Sequence, residues 1–320
     1  MSNCLSKPID AAKSTWNVVQ SIGPFLISQS DSASEAYARH LTRVAAVDAG
    51  KELLLAEIHA YSDIKKKLLK RFVAADAEER IRIRRDLDEI SASLRQIKVG
   101  TQALGYLPGH TSEQSTQNPP PPTPPQQAEV SLHWMDKFSE LARVHNEPWR
   151  EDLLARALAV ESASPGTVSP RALWLLGTLE ERVFNAFATL LDLASFVADG
   201  LMIPQHQAFS NRPIPNCSLG NNIAIGNLIY QLDEVGLFAD ALTTSRTVCK
   251  DSTFLTGYGS SRFLVQCATS DLSISGVIPT GLGASLASFY TPKENPLGKE
   301  IFDEWLKTLD KKNFPCQQIT

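Results

Sequence analysis

Isoleucine and leucine return at Ile83, Leu87, Ile90, Leu94 and Ile97 in alternating steps of four and three, while charged and polar residues fill the gaps. Residues three and four apart share one helix face, so the spacing predicts an amphipathic helix with a coiled-coil-like seam. An earlier stripe, Leu54, Ile58, Tyr61, Leu68 and Phe72, predicts a second helix, and Asp76 with Glu79 three residues later has capping-box spacing between them. The pair reads as a hairpin or as one continuous helix.

Apolar periodicity stops in "LPGHTSEQSTQNPPPPTPPQQAE", Leu107 to Glu129. Prolines clustered between Pro119 and Pro125 favour extended polyproline II, so the stretch reads as a flexible linker with a semi-rigid centre. Helical periods resume in "LHWMDKFSELARV" and "PWREDLLARALAV", where Pro148 suits a first helical position because its missing N–H has no intrahelical partner there. Next, Pro165-Gly166 reverses the chain, Ser169 can cap a helix and Pro170 can open it; Leu173, Leu176, Leu179, Val183, Phe187, Leu190 and Leu191 predict that one helix continues to Phe196. The stretch reads as a packing corner. The competing reading makes Glu161 a general acid or base, and on the corner reading Glu161→Gln alters the fold little, because a carboxamide keeps the size and acceptor ability of the carboxylate.

The last third alternates differently. An amphipathic helix ends near Gly236, "RFLVQCA" and "LSISGVI" predict a hairpin about "TSD", and "PTGLGASLASFY" and "PLGKEIFDEWLKTLDKK" predict helices. Together they suggest a winged-helix-like element, although the part that would enter a DNA groove is poor in Lys and Arg. The expected fold is mainly α with a small α+β C-terminal part. Its pieces are a helical, coiled-coil-like region (1–106), a Pro/Gln-rich linker (107–129), a helical bundle with the Pro-Gly corner (130–200) and a winged-helix-like region (201–320).

The order of Trp134 and Phe138, then Leu158, Ala159 and Glu161, then Pro165, Gly166, Ser169 and Leu173 resembles a bacterial family of uncharacterised proteins, domain of unknown function twenty-eight-zero-six. The resemblance implies a W-x-x-x-F helix followed by an L-W-A-x-x-L-A-G-E-x-x-x-P-G-x-x-S-x-x-x-L core, with structural motif residues. Leu154 stands where the family prefers Trp, and Val160 where it prefers Gly. Some relatives, by the same resemblance, sit among phage-defence and mobile-element proteins.

Charge and chemistry narrow the function further. Residues 1–100 hold 16 Lys and Arg against 13 Asp and Glu, and the remainder 15 against 22, so the first part is +3 and the rest −7. Averaged over a hundred residues, +3 is far short of a concentrated phosphate-binding patch, which leaves nucleic acid a weakly supported partner, and acidic neighbours favour a solvated or self-pairing helix face for "KKKLLKR" over a nucleic-acid contact. Cys4, Cys217, Cys249, Cys267 and Cys316 are odd in number and scattered, which points to a reducing compartment. No stretch reaches the roughly 20 apolar residues of a membrane span. His40, His59, His110, His133, His145 and His206 lack zinc-helix spacing, "GYGSSR" and "TGLGAS" lack phosphate-loop frames, and Cys267 alternates within a predicted strand. No catalytic, cofactor-binding or metal residue is assigned.

The expected role is a cytoplasmic interaction or scaffold protein without cofactor. Its N-terminal helices would self-associate or hold a partner protein. The alternatives are an effector enzyme such as a nuclease, with a site not visible as a motif, and a DNA-binding regulator acting through the winged-helix-like region.

Overall fold

The computed structural model describes Val18 and residues 43–107, 130–204, 206–239, 245–311 and 314–319. The linker reading therefore lies, after Leu107, outside the described residues. The chain divides into two compact units, Met1–Thr178 and Leu179–Thr320.

In the first unit the two predicted stripes form α1 (Arg43–Ala74) and α2 (Ala77–Tyr106), a hairpin and not one continuous helix. Asp76 breaks the path: its extended backbone precedes α2, and its carboxylate accepts the Glu79 N–H at 2.8 Å. The Glu79 carboxylate pairs with Arg71 across the turn at 2.8 Å. Further along, Lys65 Nζ donates to Ser91 Oγ at 3.2 Å, tying the helices side by side. Ile83, Ile90 and Ile97 are buried and Leu87 and Leu94 half-buried, so the apolar seam finds cover within the chain.

Among the described residues this unit also holds α3 (Leu132–Val144), α4 (Pro148–Ala163) and α5 (Pro170–Thr178). Ser131 caps α3 by accepting the Trp134 N–H at 3.2 Å, and Pro148 opens α4. Leu104 of α2 joins Trp134, Phe138, Leu154, Leu158, Leu173 and Leu176 in the core. α4 is buried around most of its circumference, even at Arg150 and Glu151, as a helix enclosed by neighbours must be. Its buried charges are paired: Lys98 reaches Glu151 at 2.5 Å.

The second unit opens with α6 (Glu181–Leu193), a separate helix and not the continuation of α5 to Phe196 that the apolar spacing predicts, and continues through β1 (Ser195–Val197), β2 (Gly200–Pro204), a short α7 (His206–Phe209), β3 (Pro213–Ile214), β4 (Ile223–Ala224) and α8 (Ile225–Glu234). It ends with β5 (Ser245–Val248), β6 (Ser252–Tyr258), β7 (Ser261–Cys267), β8 (Leu272–Val277), α9 (Gly281–Ala287), α10 (Pro296–Lys311) and β9 (Cys316–Ile319). Seven strands make one antiparallel sheet in the order β5-β8-β2-β1-β6-β7-β9. α10 lays Phe302, Trp305 and Leu309 into a core with Val197, Met202, Val265, Cys267 and Ile274.

This sheet corrects one expectation. The runs predicted to pair as a hairpin become β7 and β8, which are not neighbours: β7 lies between β6 and β9, and β8 between β5 and β2. The short turn that β7 does use is Gly259-Ser260, between paired Tyr258 and Ser261, with Gly259 at φ +56°. A backbone at positive φ costs glycine little, which favours the hairpin there and not at "TSD".

Candidate functional site

The motif residues converge on the bend between α4 and α5. Glu161 lies in the last turn of α4, only 3% exposed. One carboxylate oxygen accepts the Gly166 N–H at 2.7 Å and the other accepts the Val168 N–H at 2.8 Å. Charge-assisted bonds of this kind are stronger than neutral ones, and here they hold the loop closed. Gly166 sits at φ +90°, where a side chain would be strained. From α3, the Trp134 indole N–H donates to the Val168 carbonyl at 2.8 Å, while its ring stacks on Phe138 with centroids 5.4 Å apart. Ser169 then accepts the Ala172 N–H at 3.1 Å, capping α5 at the point where Pro170 opens it. Leu158, Ala159 and Leu173 are buried.

A second node ties the other ends of the same helices. The Arg150 guanidinium, nearly buried, donates from Nε to the Leu176 carbonyl at 3.0 Å and from Nη1 to Glu147. It also lies 3.0 Å from His145 Nδ1. A guanidinium only donates, so a hydrogen bond from Arg150 uses Nδ1 as the acceptor, while Glu147 Oε2 lies 3.5 Å from the same nitrogen. Burial, reinforced by the Arg150 charge and opposed by Glu147, lowers the His145 pKa.

In the second unit a recess of about 500 Å³ is lined by Tyr258, Ser260, Glu294, Asn295, Lys299 and Phe302, among others. The Tyr258 hydroxyl accepts the Asn295 N–H at 2.7 Å and lies 2.7 Å from the Asp192 carbonyl. The Asp192 carboxylate accepts from Tyr290 OH at 3.0 Å and from the Lys293 N–H at 2.7 Å. Burial raises its pKa, and these bonds only partly offset that rise. Tyr258, which lines the recess, and Asp192, which does not, thus hold the segment leading into α10.

A family model described as "Protein of unknown function (DUF2806)" matches residues 122–297, more than half of the 320. The chain belongs to the DUF2806 family. No curated protein and no solved structure matches it. The DUF2806 segment contains the Glu161 bend and most of the sheet, whereas the α1–α2 hairpin precedes it.

In this DUF2806 protein the other sequence candidates stay apart. His59 and His133 are exposed, and no group of three or more His, Cys, Asp or Glu able to hold a metal occurs among the described residues. His40 and His110 lie outside them. Cys267 is buried in β7, and burial raises its thiol pKa. "TGLGAS" opens α9, with Thr280 accepting the Gly283 N–H at 3.0 Å. No described helix is long and apolar enough to cross a membrane. Asp192 follows from no motif; its one signal in the sequence is an isolated acid in the apolar run "LLDLASF".

Proposed function

We propose that this chain is a non-catalytic interaction protein whose bundle carries the α1–α2 hairpin as a docking arm. The observation carrying the reading is the uncovered distal half of the hairpin. Leu69 is 47% exposed, Val73 77% and Ile81 66%, although α2 from Gln96 to Leu104 is well buried. At about 1.5 Å per helical residue, the stretch on either side of Asp76 is long enough to offer a surface of its own. The Glu161 carboxylate supports the same reading, since both of its oxygens hold backbone N–H groups in a nearly closed site. The four described cysteines are unpaired, in keeping with work in a reducing compartment.

A photo-crosslinking residue placed at Val73 or Ile81 in producing cells tests this. Discrete adducts are expected from both positions and none from the exposed Glu304 on α10. No adduct at the hairpin positions, or turnover of nucleotide or nucleic acid by the pure protein that a point substitution abolishes, overturns the reading.

A further inference from the structure

We propose that the distal end of the α1–α2 hairpin binds the phosphodiester backbone of duplex nucleic acid without reading its bases. The proposal rests on the docking-arm reading and names what the arm holds. Folding concentrates charge that is dilute along the chain. Residues 65–85 carry nine Lys and Arg against three Asp and Glu, and the turn at Ala75-Asp76 brings the lysine run of α1 beside the arginine run of α2. The local excess is +6, against +3 for the first hundred residues as a whole.

Some of these cations are committed. Lys66 pairs with Asp63, Arg71 with Glu79 and Arg82 with Glu78. Arg80 donates to the Phe72 and Val73 carbonyls at 3.3 and 3.4 Å, covering the negative end of the α1 dipole. Lys67, Lys70, Arg84 and Arg85 are exposed and have no ion-pair partner among the described residues. Acidic Asp86 and Asp88 border the patch toward the bundle, which confines the positive field to the distal end.

The composition selects the partner. A membrane-surface helix needs an apolar face that runs along its length, whereas the exposed apolar surface here is the short patch of Leu69 and Val73 on α1 and Ile81 on α2, set among nine Lys and Arg. A protein-interface core is depleted in charged residues, and here they dominate. A duplex offers closely and regularly spaced negative charge along its length, and basic residues on successive helical turns can follow it.

Fluorescence anisotropy of the full chain with a mixed-sequence DNA duplex, and with an RNA duplex of the same sequence, provides the test. Neutralising one phosphate with each of the four free cations gives a slope of about −3.6 for log affinity against log salt. Binding is then about 150-fold weaker at about 200 mM than at about 50 mM salt. The quadruple variant Lys67→Ala, Lys70→Ala, Arg84→Ala, Arg85→Ala, with helicity checked by circular dichroism, should lose this binding. Lys67→Arg with Lys70→Arg should keep it, as should Lys299→Ala in the second unit. The proposal is overturned by no duplex binding at about 50 mM salt, by an unchanged quadruple variant, or by binding to phosphatidylserine vesicles but not to duplexes. If crosslinks at Val73 and Ile81 persist without duplex binding, the docking arm stands and only its occupant is wrong.

Discussion

Glu161 holds Gly166, five residues further along the chain, carboxylate oxygen to backbone N–H at 2.7 Å, within the bend that turns α4 into α5. Its second oxygen holds Val168 at 2.8 Å, so the charge of Glu161 serves chain reversal. Glu161→Gln is therefore not a neutral change, contrary to the expectation drawn from residue size. A carboxamide accepts through one oxygen only and turns its NH₂ toward the other N–H. A stability loss of about 1–3 kcal/mol is expected, read by chemical denaturation. An unchanged midpoint would show that the loop does not depend on this pair.

Gly166→Ala isolates the backbone contribution. An added Cβ meets nothing within 4 Å, so only the strain at φ +90° remains. About 1–2 kcal/mol of destabilisation should follow, without a change in helix content by circular dichroism.

Caps give smaller, separable effects. Ser169→Ala removes the hydroxyl that accepts from Ala172, and Asp76→Ala the carboxylate that accepts from Glu79. Each should cost about 1 kcal/mol in denaturant unfolding. The Asp76 change should also raise hydrogen exchange at the start of α2 more than in α5.

Gly283→Ala should be more damaging. Its Cβ would overlap the Leu237 carbonyl oxygen, a backbone atom that also accepts from Thr280 N at 3.1 Å. α9 must move away or distort, at about 1–3 kcal/mol, measurable as a lower thermal midpoint.

His145 sets a pH dependence. Its folded-state pKa is lowered, so the unfolded chain takes up the proton more readily. The stabilising contribution is complete above the ordinary imidazole value of 6.5 and declines as pH falls below it. Asp192, with its raised pKa, has the opposite sign, losing its contribution as pH rises above the ordinary carboxyl value of 3.8. Comparing the parent with His145→Gln should show a shallower stability decline on acidification in the variant. Parallel profiles would assign the acid response elsewhere.

Local rules made the helices legible. The steps of three and four from Ile83 to Ile97, the acid at position 76 and the prolines at 148 and 170 each act within a turn or two, and α1, α2, α4 and α5 follow them. The sheet depends on distant partners: nothing near "LSISGVI" announces that Ile203 pairs with Val277, or that Arg246 faces Ile274. The candidate site divides in the same way. Turn chemistry exposed the bend at Gly166, but the double use of the Glu161 carboxylate required the geometry of the loop. The charge of the hairpin was hidden because it arises where two runs, ten residues apart in sequence, lie side by side.

The strand order also sets the tempo of folding. α1 and α2 meet across a two-residue break and gather contacts from neighbours along the chain, the fast regime of helical hairpins. β2, by contrast, remains without its outer partner until Val277 arrives, after β5, β6 and β7 have passed by. During synthesis at about 5–20 residues per second, that interval lasts several seconds. Through it the apolar residues Met202 and Ile203 present an open strand edge, and early encounters between nascent chains would be most hazardous there.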